Sequence, residues 1–206
     1  MGAVLMRYIG FLFFVSLASP ALAHHPMGGV VPETLLHGLM SGVGHPIIGL
    51  DHFAFIVAAG VLAATINNRL WVLAPLGLVG GALLGSAIHL SSTNIAGAEA
   101  LVALSVVIAG GLMAIGARAR IGILLALFAL SGVFHGYAYA EAVIGAENSI
   151  IAAYLAAFSA TQWVIAVVAG FAARLIFDEF AWFRARKLTG SSIAMLGAVL
   201  LTQAVV

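Results

Sequence analysis

Apolar stretches of about 20 residues, the length needed to cross a bilayer, recur along this 206-residue chain and leave it little choice but helices packed side by side in lipid. They fall at residues 46–66, 70–90, 98–116, 121–141, 149–176 and 191–206. The separators are 67–69, 91–97, 117–120, 142–148 and 177–190. Charged residues make up only 7% of the chain, against about a quarter in soluble domains. The expected fold is all-α: a polytopic transmembrane helix bundle, one domain over 24–206, with six spans. Residues 33–43 are expected to form a short helix at the outer surface before Pro46 opens the first span. The fifth stretch is overlong and carries Ser159, Thr161 and Gln162, which points to tilt or a local break.

The segment before the first span reads as a cleaved signal peptide over 1–23. Arg7 supplies the positive start, Tyr8 to Leu17 the apolar stretch, and Ala21-Leu22-Ala23 the small-x-small cleavage site. Such a signal would put the mature N-terminus, His24-His25-Pro26-Met27, outside a bacterial-type inner membrane. The loops then carry Arg69, Arg118, Arg120, Arg174, Arg184, Arg186 and Lys187 on the inner side, while Glu33, Glu99, Glu141 and Glu147 fall at outer ends. That is the charge bias of the positive-inside rule. The basic cluster Arg184–Lys187 reads as a membrane-flanking anchor, and no patch suited to nucleic acid is present.

Within this apolar chain, His24, His25, His37, His45, His52, His89 and His135 all fall toward the outer side. Ionisable groups at membrane depth mark ion or proton pathways by default, because burying them is costly. No cysteine is present, so any metal must be held by nitrogen and oxygen, with the thioether of Met27 as the one further donor considered. His45 and His52 are seven residues apart, nearly two turns, and on a straight helix they would be separated by roughly 10 Å. That is long for one ion with metal–nitrogen bonds near 2 Å. Pro46 fits the first turn of a helix, so His45 is expected at or before the helix start, where it can fold inward. Asp51 can ligate directly or orient an imidazole, and Asp51 and His52 can equally pair with each other to staple helices.

His89 ends the second span, Glu99 opens the third, and His135 lies less than two turns before Glu141 in the fourth. Alternating helix directions bring all four to the outer half of the bundle. Each alone reads as a helix-end polar group; together they form a candidate metal-binding set with His45, Asp51 and His52. Tyr137 and Tyr139 add hydrogen-bonding partners. His37 and a collecting arm made by His24 and His25 complete the candidates. Glycines at 77, 80, 81, 85, 110 and 111 are expected to let helix backbones approach closely.

The stretch Ser41-Gly-Val-Gly-His45-Pro-Ile-Ile-Gly-Leu-Asp51-His52-Phe-Ala-Phe resembles the signature of the HupE/UreJ family. Ile88-His89-Leu, Gly97-Ala-Glu99 and Phe134-His135-Gly-Tyr-Ala-Tyr-Ala-Glu141 resemble its later blocks. The resemblance implies a membrane protein associated with nickel-enzyme maturation, regarded as a nickel or cobalt permease. It implies functional roles for His45, Asp51, His52, Glu99, His135 and Glu141. The chain departs from the pattern at Tyr139, where many members carry a second histidine.

The expectation is a non-enzymatic permease for a divalent transition-metal cation, nickel or cobalt, with no prosthetic group. Zinc and copper suit the same donors. The lipid bilayer and the metal are the expected partners, together with nickel- or cobalt-enzyme maturation proteins, and an oligomer is compatible with this reading. The alternative is a non-transporting metal-binding accessory or sensor protein. An intramembrane metal- or haem-dependent enzyme ranks behind it, since His-Glu-x-x-His is absent and no Ser–His pair has the required context.

Overall fold

The computed structural model describes residues 30–176 and 179–205; the expected signal peptide and His24 and His25 lie outside them. Seven helices account for most of this length: α1 (Leu35–Ile48), α2 (Leu50–Ala63), α3 (Leu76–Leu90), α4 (Ala98–Ala114), α5 (Ile121–Ala140), α6 (Asn148–Ile176) and α7 (Glu179–Val205). Two short 3₁₀ turns, Arg69–Leu73 and Glu141–Val143, precede α3 and follow α5. No strand occurs among the described residues. Four segments are long and apolar enough to cross a membrane: Arg69–Leu90, Ile121–Val143, Asn148–Leu175 and Arg184–Val205. The pair α1–α2 adds a fifth if counted as one broken span, and α4, with 17 residues, is shorter. The chain is a multi-pass membrane protein, all-helical among the described residues, which hold four or five such spans where six were expected.

The first span differs from its expected form. Pro46 does not open a helix but lies inside α1, and residues 33–43 belong largely to that same helix. Pro46 has no N–H for the carbonyl of Gly42 and crowds it, which weakens the last turn of α1. Three residues later Gly49 takes an extended conformation (φ −68°, ψ 108°), and α2 leaves at 75° to α1. Gly49 bridges the break by donating its N–H to the His45 carbonyl (3.1 Å) and accepting that of Phe53 (2.8 Å). Of the tilt or local break expected in the fifth stretch, no break occurs: α6 runs unbroken through Ser159, Thr161 and Gln162. One further expectation is corrected: the last helix begins at Glu179 rather than 191, and Arg186 is buried and bonded to α4 instead of lying in a loop.

Close backbone contact fixes the helix pairs. An added Cβ on Gly81 or Gly85 of α3 would lie 2.0 or 1.9 Å from the carbonyls of Ala129 or Val133 on α5. In return, Gly136 of α5 approaches the Ala82 carbonyl to 1.9 Å on the same measure. Gly110, Gly190 and Gly197 join α4 to α7, and Gly38 and Gly42 join α1 to α6. Gly80 and Gly111 face open space, so the packing role does not extend to them. Because backbone cannot yield as a side chain can, Gly136→Val is expected to exceed the usual overpacking penalty of about 1–3 kcal/mol. The expected result is loss of the monodisperse folded species in detergent; Gly80→Val should leave it intact.

Two arginines close the opposite end from Asp51 and His52. Arg174 donates to the carbonyls of Ala64 (2.9 Å) and Ile66 and lies 4.8 Å over the Trp71 ring. Arg186 donates to the carbonyls of Met113 (3.3 Å) and Ala117 (3.2 Å). Both reach carbonyls at or just past the C-terminal ends of α2 and α4, where positive charge is favoured.

Candidate metal site

The break at Gly49 brings His45, from the last turn of α1, to His52, from the first turn of α2. Their ring centroids are 5.5 Å apart, where a straight helix would hold them roughly 10 Å apart. Both are fully buried. An alanine at Gly49 would place its Cβ 2.7 Å from Cδ2 of His52, so the glycine makes room for the second imidazole as well as the bend.

The tautomers follow from two hydrogen-bond chains, each ending at a backbone carbonyl. The Tyr154 hydroxyl donates to the Tyr139 carbonyl (2.8 Å) and lies 2.7 Å from Nδ1 of His45. Its single proton is spent on the carbonyl, so Nδ1–H of His45 is the donor and Nε2 keeps the lone pair. The Ser105 hydroxyl donates to the Val102 carbonyl (2.6 Å), and Nε2 of His135 lies 2.9 Å from that hydroxyl oxygen. His135 therefore donates from Nε2 and accepts at Nδ1, where Nδ1–H of His52 reaches it at 2.7 Å. His52, like His45, is left with its lone pair on Nε2. We assign these tautomers from the network, and in them Nε2 is the nitrogen that would ligate a transition metal.

The wholly buried Tyr139 packs its ring 4.8 Å from His45 and 4.2 Å from His52, and its hydroxyl has no hydrogen-bond partner among the described residues. Asp51 accepts the backbone N–H of His52 (2.7 Å) and lies 4.0 Å from its Nε2. Asp51 also lines a cavity of about 410 Å³ together with His89, Asn94, Glu99, Tyr137 and Glu141. His89 stacks on Tyr137 at 4.0 Å, donates from Nδ1 to the Tyr137 carbonyl (2.6 Å), and borders a second cavity of about 550 Å³.

The expected residues thus divide in two. His45, His52 and His135 form a buried inner cluster; Asp51, His89, Glu99 and Glu141 border the cavity beside it, with both glutamates exposed. His37 joins neither, lying in the first turn of α1, about 12 Å along the axis from His45. Among the described residues no group of three or more His, Asp or Glu side chains is gathered as a metal cage. Sequence reading missed Tyr154 and Ser105, which orient the imidazoles from 109 and 30 residues away. The available signal was hydroxyl groups at interior positions of apolar helices.

The family model described as HupE / UreJ protein matches residues 12–200. Protein HupE of Rhizobium leguminosarum bv. viciae is 28% identical over 192 residues, covering 90% of this chain and 93% of that one. No solved structure matches the chain.

Proposed function

The chain belongs to the HupE/UreJ family, and from that premise we propose that it is a permease for a divalent transition metal, nickel or cobalt. The observation that carries this reading is the buried His45–His52 pair, with ring centroids 5.5 Å apart beside the Asp51 carboxylate. Structural zinc sites surround the ion with four protein ligands; two imidazoles and a nearby carboxylate leave positions for water and a route on and off. Asp51 joins the pair to the cavity bordered by His89, Glu99 and Glu141, which would collect the hydrated cation. The ion would then shed part of its water on His45, His52 and Asp51, with the Tyr139 hydroxyl placed to meet a remaining water. Divalent affinities rise toward copper along the first transition row, so selectivity would rest on geometry and supply.

In this reading the histidine end faces outward in a bacterial inner membrane, the arginine end faces inward, and His24 and His25 extend the collecting surface. The chain lacks cysteine, which makes the orientation directly testable. Single cysteines at 94 or 146 are expected to react with an impermeant maleimide from outside, and one at 119 only after permeabilisation. External labelling at 119 would overturn the orientation. Transport itself is tested in proteoliposomes, by flux of Ni²⁺ and Co²⁺ beside Zn²⁺ and Cu²⁺. Saturable flux of nickel or cobalt is expected; tight binding without flux would instead favour an accessory or sensor role.

A further inference from the structure

We propose that Gln162 forms a second site for the hydrated divalent cation, midway through the bundle and separate from the histidine pair. The proposal rests on the permease reading for its purpose but on different residues for its evidence. The Gln162 side chain is fully buried, and neither Oε1 nor Nε2 has a partner among the described residues. A carboxamide carries two donors and an acceptor with two lone pairs. In a membrane interior no bulk water can satisfy them, and an apolar residue would fill the same space without that penalty. A polar group retained there under those conditions is matched to something polar that comes to it.

Its position says what that is. Along α6 the buried stripe runs Tyr154, Phe158, Gln162, Ala166 and Gly170. Tyr154 is the residue that holds His45. Gln162 lies eight residues further, about 12 Å along the axis, toward the end closed by Arg174. The Ser159 hydroxyl, three residues before Gln162, is also buried without a partner among the described residues.

Across the seam is α2, which begins beside the histidine pair. An added Cβ on its Gly60 would lie 2.0 Å from the Ala166 carbonyl. The carboxamide therefore sits one turn before the tightest α2–α6 contact, on the seam that the pair opens.

The chemistry suits a station passed through rather than a sink. A neutral amide oxygen can accept from a coordinated water or replace one, and its N–H groups fix the remaining shell. It adds no formal charge that would trap a divalent ion, and conduction requires sites weak enough to leave. The same reasoning supplies oxygen donors in the half of the bundle that has no histidine.

The test uses the full chain in proteoliposomes. Gln162→Leu is expected to leave the thermal midpoint unchanged or raised and nickel binding at the histidine pair unchanged, while flux falls at least tenfold. Wild-type flux in this variant would overturn the proposal. A second measurement is independent of transport. In the cysteine-free chain, Gln162→Cys is expected to react with a small cationic methanethiosulfonate and to be protected by Ni²⁺, whereas Val168→Cys, on the exposed side of α6, should not react. A cysteine at 162 that is inert, or whose reactivity Ni²⁺ leaves unchanged, would overturn the proposal, and this readout decides alone if the leucine variant does not fold. A wild-type protein that binds nickel but moves none would sink the permease reading, with the cysteine readout still deciding on Gln162.

Discussion

Nickel affinity is expected to fall by more than about 100-fold when His52 is replaced by alanine, beyond the 10–100-fold typical of losing an orienting partner. Two effects combine. The variant removes one of the two Nε2 lone pairs, and it strips His135 of the donor that reaches its Nδ1 at 2.7 Å. The rings of Tyr139 and His45 flank the position, and neither the Asp51 carboxylate nor Nδ1 of His135 stands where the lost Nε2 stood. His52→Gln, which fills the space with a poorer ligand, separates ligation from packing: it should fold normally and still lose binding. Titration calorimetry with Ni²⁺ on both variants reads the result. Full affinity in His52→Ala would mean that the pair is a helix staple. Asp51→Asn refines the picture, failing nearly as badly if the carboxylate ligates and losing about 10–100-fold if it only orients.

Tyr154→Phe is expected to cost about 10–100-fold in nickel affinity although its hydroxyl is given no contact with the ion. The phenol accepts Nδ1–H of His45 and donates its own O–H to the Tyr139 carbonyl. Without it His45 loses the acceptor for Nδ1–H, and its proton can move to the nitrogen that should ligate. Phenylalanine keeps the ring against Phe158, 5.5 Å away, so the fold is expected to survive with a small shift in thermal midpoint. Unchanged affinity would show that the tautomer of His45 is set by something other than Tyr154.

The multi-pass helical character was legible because apolar length is a local signal, and His45, Asp51 and His52 stood out because ionisable residues inside an apolar stretch are a local signal too. The means of convergence was not. Proline is favoured in a first turn and disruptive in a last one, and residues near Pro46 alone do not distinguish these; the contact of Gly42 with the Tyr154 carbonyl, which commits α1 to helix through His45, is 112 residues away. Arg186 misled in the same way: a basic cluster reads as a loop until the carbonyls of Met113 and Ala117 appear beside it. The cavity that Asp51, His89, Glu99 and Glu141 line together was not legible, because His89, Glu99 and Glu141 each read only as a helix end and the packing of the helices is what brings them to one space.

The nickel X-ray absorption spectrum of the loaded full chain tests most directly whether His45 and His52 hold the metal. Two imidazole scatterers with oxygen completing the shell are expected, falling to one imidazole in His45→Ala and likewise in His52→Gln. A spectrum that both substitutions leave unchanged would contradict the account, placing the ion on other residues such as His24 and His25.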